Sequence, residues 1–219
     1  MSARPPVAPE YLAPNPFVDS DHPRVVAYAE RHRSPDGEVA SAVALYYAIR
    51  DGFRYTPWEV SLEAEAYRAS EVAARSYERG GHCIDKAVLL AACARALGIP
   101  SRLHFADVKN HIGTARLERM LGTDRLVFHG YAELFLEGRW VAATPAFNRQ
   151  LCAHLGVPPL AWDGRSDAIF QAYSPDGKRF MEYVEDHGTF PDVPHARMIA
   201  AWKEHYAPLR DGGAWPRAS

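Results

Sequence analysis

At 219 residues the chain is long enough for one large domain with a sizeable core. Its 47% apolar content is that of an ordinary globular protein and argues against disorder. A formal charge of −2 and a pI near 6.5 leave no basic footprint for nucleic acid or an anionic membrane surface.

Residues 1 to 23 carry six prolines and little periodicity, which reads as an extended surface arm without the apolar core of a secretory signal. GEVASAVALYYAIRD, residues 37 to 51, has apolar positions at helical spacing (Val39, Val43, Tyr46 or Tyr47, Ile49 or Arg50), and Gly52 ends it. FRYTPWEVS is extended, because Pro57 stops a helix. Residues 64 to 77 mix helix and turn. Cys83 to Leu97 is the strongest helix, rich in Ala, Leu and Lys, preceded by Gly80-Gly81 and closed by Gly98-Ile99-Pro100. SRLHFADV is a strand, and residues 109 to 124 are a polar excursion with a short helix. LVFHGYAELFL and RWVAATP form a hairpin about Glu137-Gly138. FMEYVEDHGTF and ARMIAAWKEHYAPL each suggest a helix or turn, and the last residues a loose tail. The longest apolar stretch, Ala87 to Pro100, is broken by Arg95 and too short to span a bilayer.

Three cysteines, Cys83, Cys93 and Cys152, fit no disulfide framework or CxxC metal pair, and the simplest reading is a reducing, cytoplasmic setting. Cys93 lies mid-helix among leucines and reads as core, as does Cys152. Cys83 is different, because it opens the strongest helix. Free N–H groups and the macrodipole at that end favour a thiolate and an oxyanion, and two glycines leave room for a carbonyl. A buried, inert thiol is the alternative. A nucleophile needs a base, and His129 is the best placed. Strand alternation puts Val127, His129, Tyr131 and Glu133 on one face. With Glu137-Gly138 as a two-residue loop, Leu136 faces Arg139, Tyr131 faces Thr144 and His129 faces Ala146, so Thr144 lies diagonal to His129 and within reach of its ring. The alternative for His129 is a strand histidine satisfied by backbone. His82 reads as a turn or cap residue. A metal site built from His82, Cys83, Asp85, His104, His111 and His129 lacks ligand spacing on any expected helix, so no metal or cofactor is expected.

Three blocks together resemble the transglutaminase-like superfamily of papain-like thiol enzymes: GGHCIDKAVLLAACARALGIPSR, FHGYAELFLEGRW and VAATPAF, with YYAIRDGFRYTP upstream. The resemblance covers roughly residues 37 to 148. It implies an α+β core in which a nucleophile helix packs on an antiparallel sheet. It also implies Cys83 as nucleophile, His129 as base, and acyl transfer through a thioester. In VAATPAF, Thr144 occupies the position where the family usually has aspartate. A threonine hydroxyl can accept from an imidazole N–H but cannot stabilise imidazolium by charge, so Asn148 is a second possible orienter. Tyr55, Trp58 and His82 are possible oxyanion or acyl-site lining. Asp85, in the first helical turn, is expected to turn away from the thiol toward Lys86 or Arg102.

The chain accordingly divides into a proline-rich arm (1–36), a catalytic core (37–148) and a C-terminal extension packing on it (149–219). The expected substrate is a peptide, protein or small amide, with no nucleic-acid or membrane partner. Thr144 also motivates a second reading, a non-catalytic binding scaffold.

Overall fold

The computed structural model describes residues 7–58, 60–110, 115–169, 181–210 and 215. In chain order it contains α1 (Pro23–Arg31), α2 (Glu38–Gly52), α3 (Ala69–Ala73), α4 (Cys83–Ala96), β1 (Ser101–Asn110), α5 (Ala115–Leu121), β2 (Arg125–Leu136), β3 (Arg139–Ala143), α6 (Arg149–Leu155), β4 (Met181–Phe190), α7 (His195–His205) and α8 (Ala207–Arg210). The strands form one antiparallel sheet in the order β3-β2-β1-β4. The expected α+β architecture is present: α4 lies on the sheet against β2 and β1, and α1, α2 and α3 pack around α4.

The helix at the centre is apolar on all sides. From Ala87 through Ala94 every residue of α4 is at most 1% exposed, so a helix that shows no amphipathic stripe is one buried all round. Two departures from the sequence reading lie outside it. Within the proline-rich arm of 1–36, just past the stretch read as extended (1 to 23), Pro23–Arg31 is helical: Pro23 sits in the first turn, where its missing N–H costs nothing, and Val25 and Ala29, one turn apart, are fully buried. MEYVEDHGTF is strand β4, not helix or turn. It pairs with β1 along the sheet edge with two register shifts, and Tyr183 and Val184 are exposed. An irregular, charged edge strand carries little apolar alternation. The loose tail expected at the C-terminus lies mostly outside the described residues.

The hairpin register is as the loop length dictates. Leu136 pairs with Arg139, Phe135 with Trp140, and the ladder runs to Ala132 with Ala143. Glu137 and Gly138 both have positive φ, 48° and 86°, as a two-residue turn of the hairpin-favouring hand requires. Trp140 is sheet packing, in contact with Phe135 and beneath the Arg102 guanidinium. Beyond the ladder, alternation fails. Ala106 pairs with His129 but Val108 with Leu126, so β2 has an extra residue, and Phe128 has φ 58°. This β-bulge lets Val127, Phe128 and His129 all line one cavity, which strict alternation forbids.

Candidate active site

The approach to α4 explains its two leading glycines. Gly80 has φ 60°, and a Cβ there would stand 2.1 Å from the carbonyl oxygen of Arg54. That close approach allows Gly81 N–H to donate to Arg54 O and Thr56 N–H to Gly81 O, pinning the Tyr55 segment beside the residues that lead into the helix. His82 is the N-cap. Its Nδ1 accepts from Ile84 N–H at 3.2 Å, while Asp85 Oδ2 accepts from His82 N–H at 3.0 Å, a reciprocal capping box. Asp85 pairs with Arg75 at 2.8 Å, and not with Lys86 or Arg102 as expected. Lys86 instead donates to the carbonyls of Arg50 and Ala146, and Arg102 pairs with Glu133.

Cys83 is therefore the first residue of α4, as the sequence suggests. One turn of helix brings Ile84 against Gly130, where a Cβ would meet Ile84 and Phe105 at 3.2 and 3.1 Å. The glycine after His129 lets β2 come this close to α4; a glycine inside a strand was the available signal for it. Cys83, His129, His82 and Tyr55 share one cavity of about 50 Å³, with apolar walls that include Leu126 and Trp202. A space of that size holds one or two waters.

The electrostatics correct one expectation. The sequence reading gives Cys83 a depressed pKa; the structure raises it to about 11, because burial outweighs the backbone hydrogen bonds from Gly130, Ile84 and Cys83 that favour the thiolate. Cys83 itself is part-exposed, so this is a thiol at the floor of a narrow opening. Burial lowers His129 to about 4, helped by the neighbouring His82. Tyr55 is pushed well above its ordinary value by burial, so it presents a neutral phenol beside the thiol.

Of the two residues proposed to orient His129, Asn148 is engaged elsewhere and Thr144 leaves its hydroxyl unbonded. Thr144 is buried, but its hydroxyl makes no hydrogen bond among the described residues. The reason is local: β3 ends at Ala143, and Thr144 N–H turns to donate to Ala168 O while its carbonyl accepts from Tyr46. Asn148 accepts from the Tyr55 amide through Oδ1 and donates through Nδ2 to Tyr77 Oη and Gln150 Oε1. It braces the Tyr55 wall of the cavity. Trp58 does not line the cavity, though its carbonyl accepts from the Trp215 indole. Cys93 and Cys152 are fully buried. Of the residues considered for a metal, His104 lies between Glu133 and Asp186 at 2.7 Å from each, and His111 is outside the described residues. Among the described residues no group of three or more such side chains is arranged to hold a metal, and no helix is long and apolar enough to cross a membrane.

Residues 26–145 match the model of the transglutaminase-like superfamily. Among solved structures, a candidate cysteine protease from Cytophaga hutchinsonii aligns over 86% of this chain and 48% of its own, at 18% identity and a TM-score of 0.51. The periplasmic domain of TgpA from Pseudomonas aeruginosa, bound to ethylmercury, aligns over 62% of this chain and 46% of its own, at 20% identity and a TM-score of 0.37. The chain thus spans about half the length of each. No curated protein sequence matches it.

Proposed function

The chain belongs to the transglutaminase-like superfamily, a cysteine-based acyl-transfer and peptidase family, and from that premise we propose that it opens an amide bond through a thioester on Cys83, with His129 as general base. The observation that carries this reading is the sharing of one cavity by the first residue of the nucleophile helix and the bulge histidine. The Cys83 proton passes to His129 as sulfur attacks the acyl carbonyl. The imidazolium returns that proton to the departing amine as the C–N bond breaks. Water or an amine then attacks the thioester, gives its proton to His129, and releases the thiol. The helix-terminal Cys83 N–H and the Tyr55 phenol, which lines the same cavity, are the donors proposed for the developing oxyanion. The apolar walls favour an uncharged acyl group of a peptide, protein or small amide.

The test is acylation by p-nitrophenyl acetate near pH 7, located by mass spectrometry. The adduct is expected on Cys83. Replacing His129 with Ala should slow its formation by about 10²–10⁴-fold, the usual worth of a positioned base. An adduct that forms equally fast in His129→Ala sinks the reading. Complete absence of an adduct favours the binding-scaffold alternative that the unbonded Thr144 hydroxyl motivates.

A further inference from the structure

Asn148 is occupied elsewhere and the Thr144 hydroxyl makes no hydrogen bond among the described residues, so something else must set where His129 sits. The residue two before it is held in an unusual way. On the side of β2 where β3 has ended, no strand among the described residues partners Val127. Its N–H donates to the Tyr206 hydroxyl at 2.8 Å, and its carbonyl accepts from the Trp202 indole N–H at 2.8 Å. Both side chains are buried, both line the Cys83 cavity, and they come from α7 and its C-cap, beyond the 26–145 family match.

The next residue shows why this matters. Phe128 has φ 58°, a strained conformation for a bulky residue that persists only when its surroundings over-determine it. The Phe128 N–H is taken by Asp107 Oδ1 at 2.8 Å, and its ring is stacked by His187 at 4.2 Å between centroids. With Val127 clamped on one side and Phe128 on the other, the bulge cannot relax into regular strand. Relaxation by one residue would turn every side chain beyond it to the other face, His129 included.

We propose that Trp202 and Tyr206 are positioning residues: they replace the missing β3 partner at Val127 and so hold the bulge that aims His129 at Cys83. This rests on the acyl-transfer reading given above. It assigns the C-terminal helix, which the family match does not reach, a part in the reaction.

The experiment compares Tyr206→Phe with Tyr47→Phe. The Tyr206 hydroxyl also donates to Val127 O at 3.4 Å, and the Tyr47 hydroxyl makes the same pair of contacts to one residue, accepting from Trp162 N–H at 3.1 Å and donating to its carbonyl at 3.2 Å, away from the cavity. Each variant loses one hydroxyl, so a merely structural loss appears in both. Acylation of Cys83 by p-nitrophenyl acetate should fall about tenfold or more in Tyr206→Phe and stay unchanged in Tyr47→Phe. The acidic limb of the pH profile, where the base is lost to protonation, should also move to higher pH. A loosened bulge admits water, burial of His129 weakens, and its pKa climbs from about 4 toward the ordinary 6.5 in Tyr206→Phe alone. Equal rates and equal pH profiles in the two variants overturn the positioning role and leave the acyl-transfer reading standing. A His129→Ala variant that acylates like wild type overturns both. If Tyr206→Phe does not fold, Trp202→Phe, which removes the indole donor and keeps a ring, takes its place against the same control.

Discussion

At the scale of single residues, the thiol and imidazole that share the cavity, the pair proposed to exchange a proton, both rest in their neutral forms. Burial disfavours a charge on either, so the thiol moves up to about 11 and the imidazole down to about 4. Once an ion pair forms, each charge stabilises the other, and titration then belongs to the pair. On the proposed acyl-transfer reading, proton transfer then accompanies attack and does not precede it. This gives a pH prediction whose sign differs from that of a bare helix-terminal cysteine. The thiolate is disfavoured in the folded protein, so alkylation of Cys83 by iodoacetamide should rise with a midpoint near 11. Unfolding in urea should return it to about 8.5. Mass-spectrometric mapping of the labelled residue against pH separates the cases, and a folded-state midpoint below 8.5 rules out the neutral resting pair. The sequence places Cys83 at the helix start correctly because glycines, cap and helix propensity are local signals. Its raised pKa was not legible, since the walls that bury it include Tyr206 and Trp202, more than a hundred residues further on.

At the scale of elements, the bulge in β2 is the feature on which the site turns, and Asp107 is its fastener. This carboxylate is 1% exposed. Oδ1 accepts from Phe128 N–H and faces His187 Nε2 at 2.6 Å, while Oδ2 pairs with Arg125 at 2.6 Å. Replacing Asp107 with Ala strands a buried amide, an imidazole and part of a guanidinium. The cost should be about 3–5 kcal/mol, as for breaking other buried pairs. Asp107→Asn, which keeps one carbonyl oxygen for the Phe128 amide, should cost clearly less. Urea midpoints at constant m-value measure both, and equal losses would show that the Phe128 amide contributes nothing. The same elements show what the sequence reveals and what it hides. The β2–β3 register follows from Glu137-Gly138, because a two-residue loop admits one register. The bulge has only a faint mark, Gly130 within a strand. Strand β4 has almost none: its residues are charged, it lies at an edge, and β1 supplies its partners. Helix α1 was readable after all, from Pro23 at its start and the Val25–Ala29 spacing, but the prolines before it suggested an extended chain.

At the scale of the molecule, the segments on either side of the family match are tied together at the end of α4 opposite Cys83. Arg95, buried in the last turn, donates to Ala13 O at 2.7 Å, Ser101 O at 2.9 Å and Pro191 O at 2.5 Å. Asp192, the next residue, accepts from the amides of Val18 and Phe17 at 2.9 and 3.2 Å. One guanidinium and one carboxylate thus join the N-terminal segment, the nucleophile helix, and the chain just before α7. Val18, Val25, Met198 and Trp202 belong to the same apolar core as Leu89 and Leu90. Helix α7 then runs from this junction to the bulge in β2. Such wiring predicts that these elements unfold together. Far-UV circular dichroism, which follows the helices, and near-UV dichroism, which follows aromatics such as the Trp202–Tyr206–Trp215 cluster, should give one coincident urea transition. Replacing Arg95 with Met removes the donors to three carbonyls and should lower both midpoints together, by about 2–4 kcal/mol. A near-UV signal that melts first would mean that the C-terminal helix is a separable appendage. In that case α7 could not hold the bulge at the stability of the core, and His129 would be aimed by β1 and β2 alone.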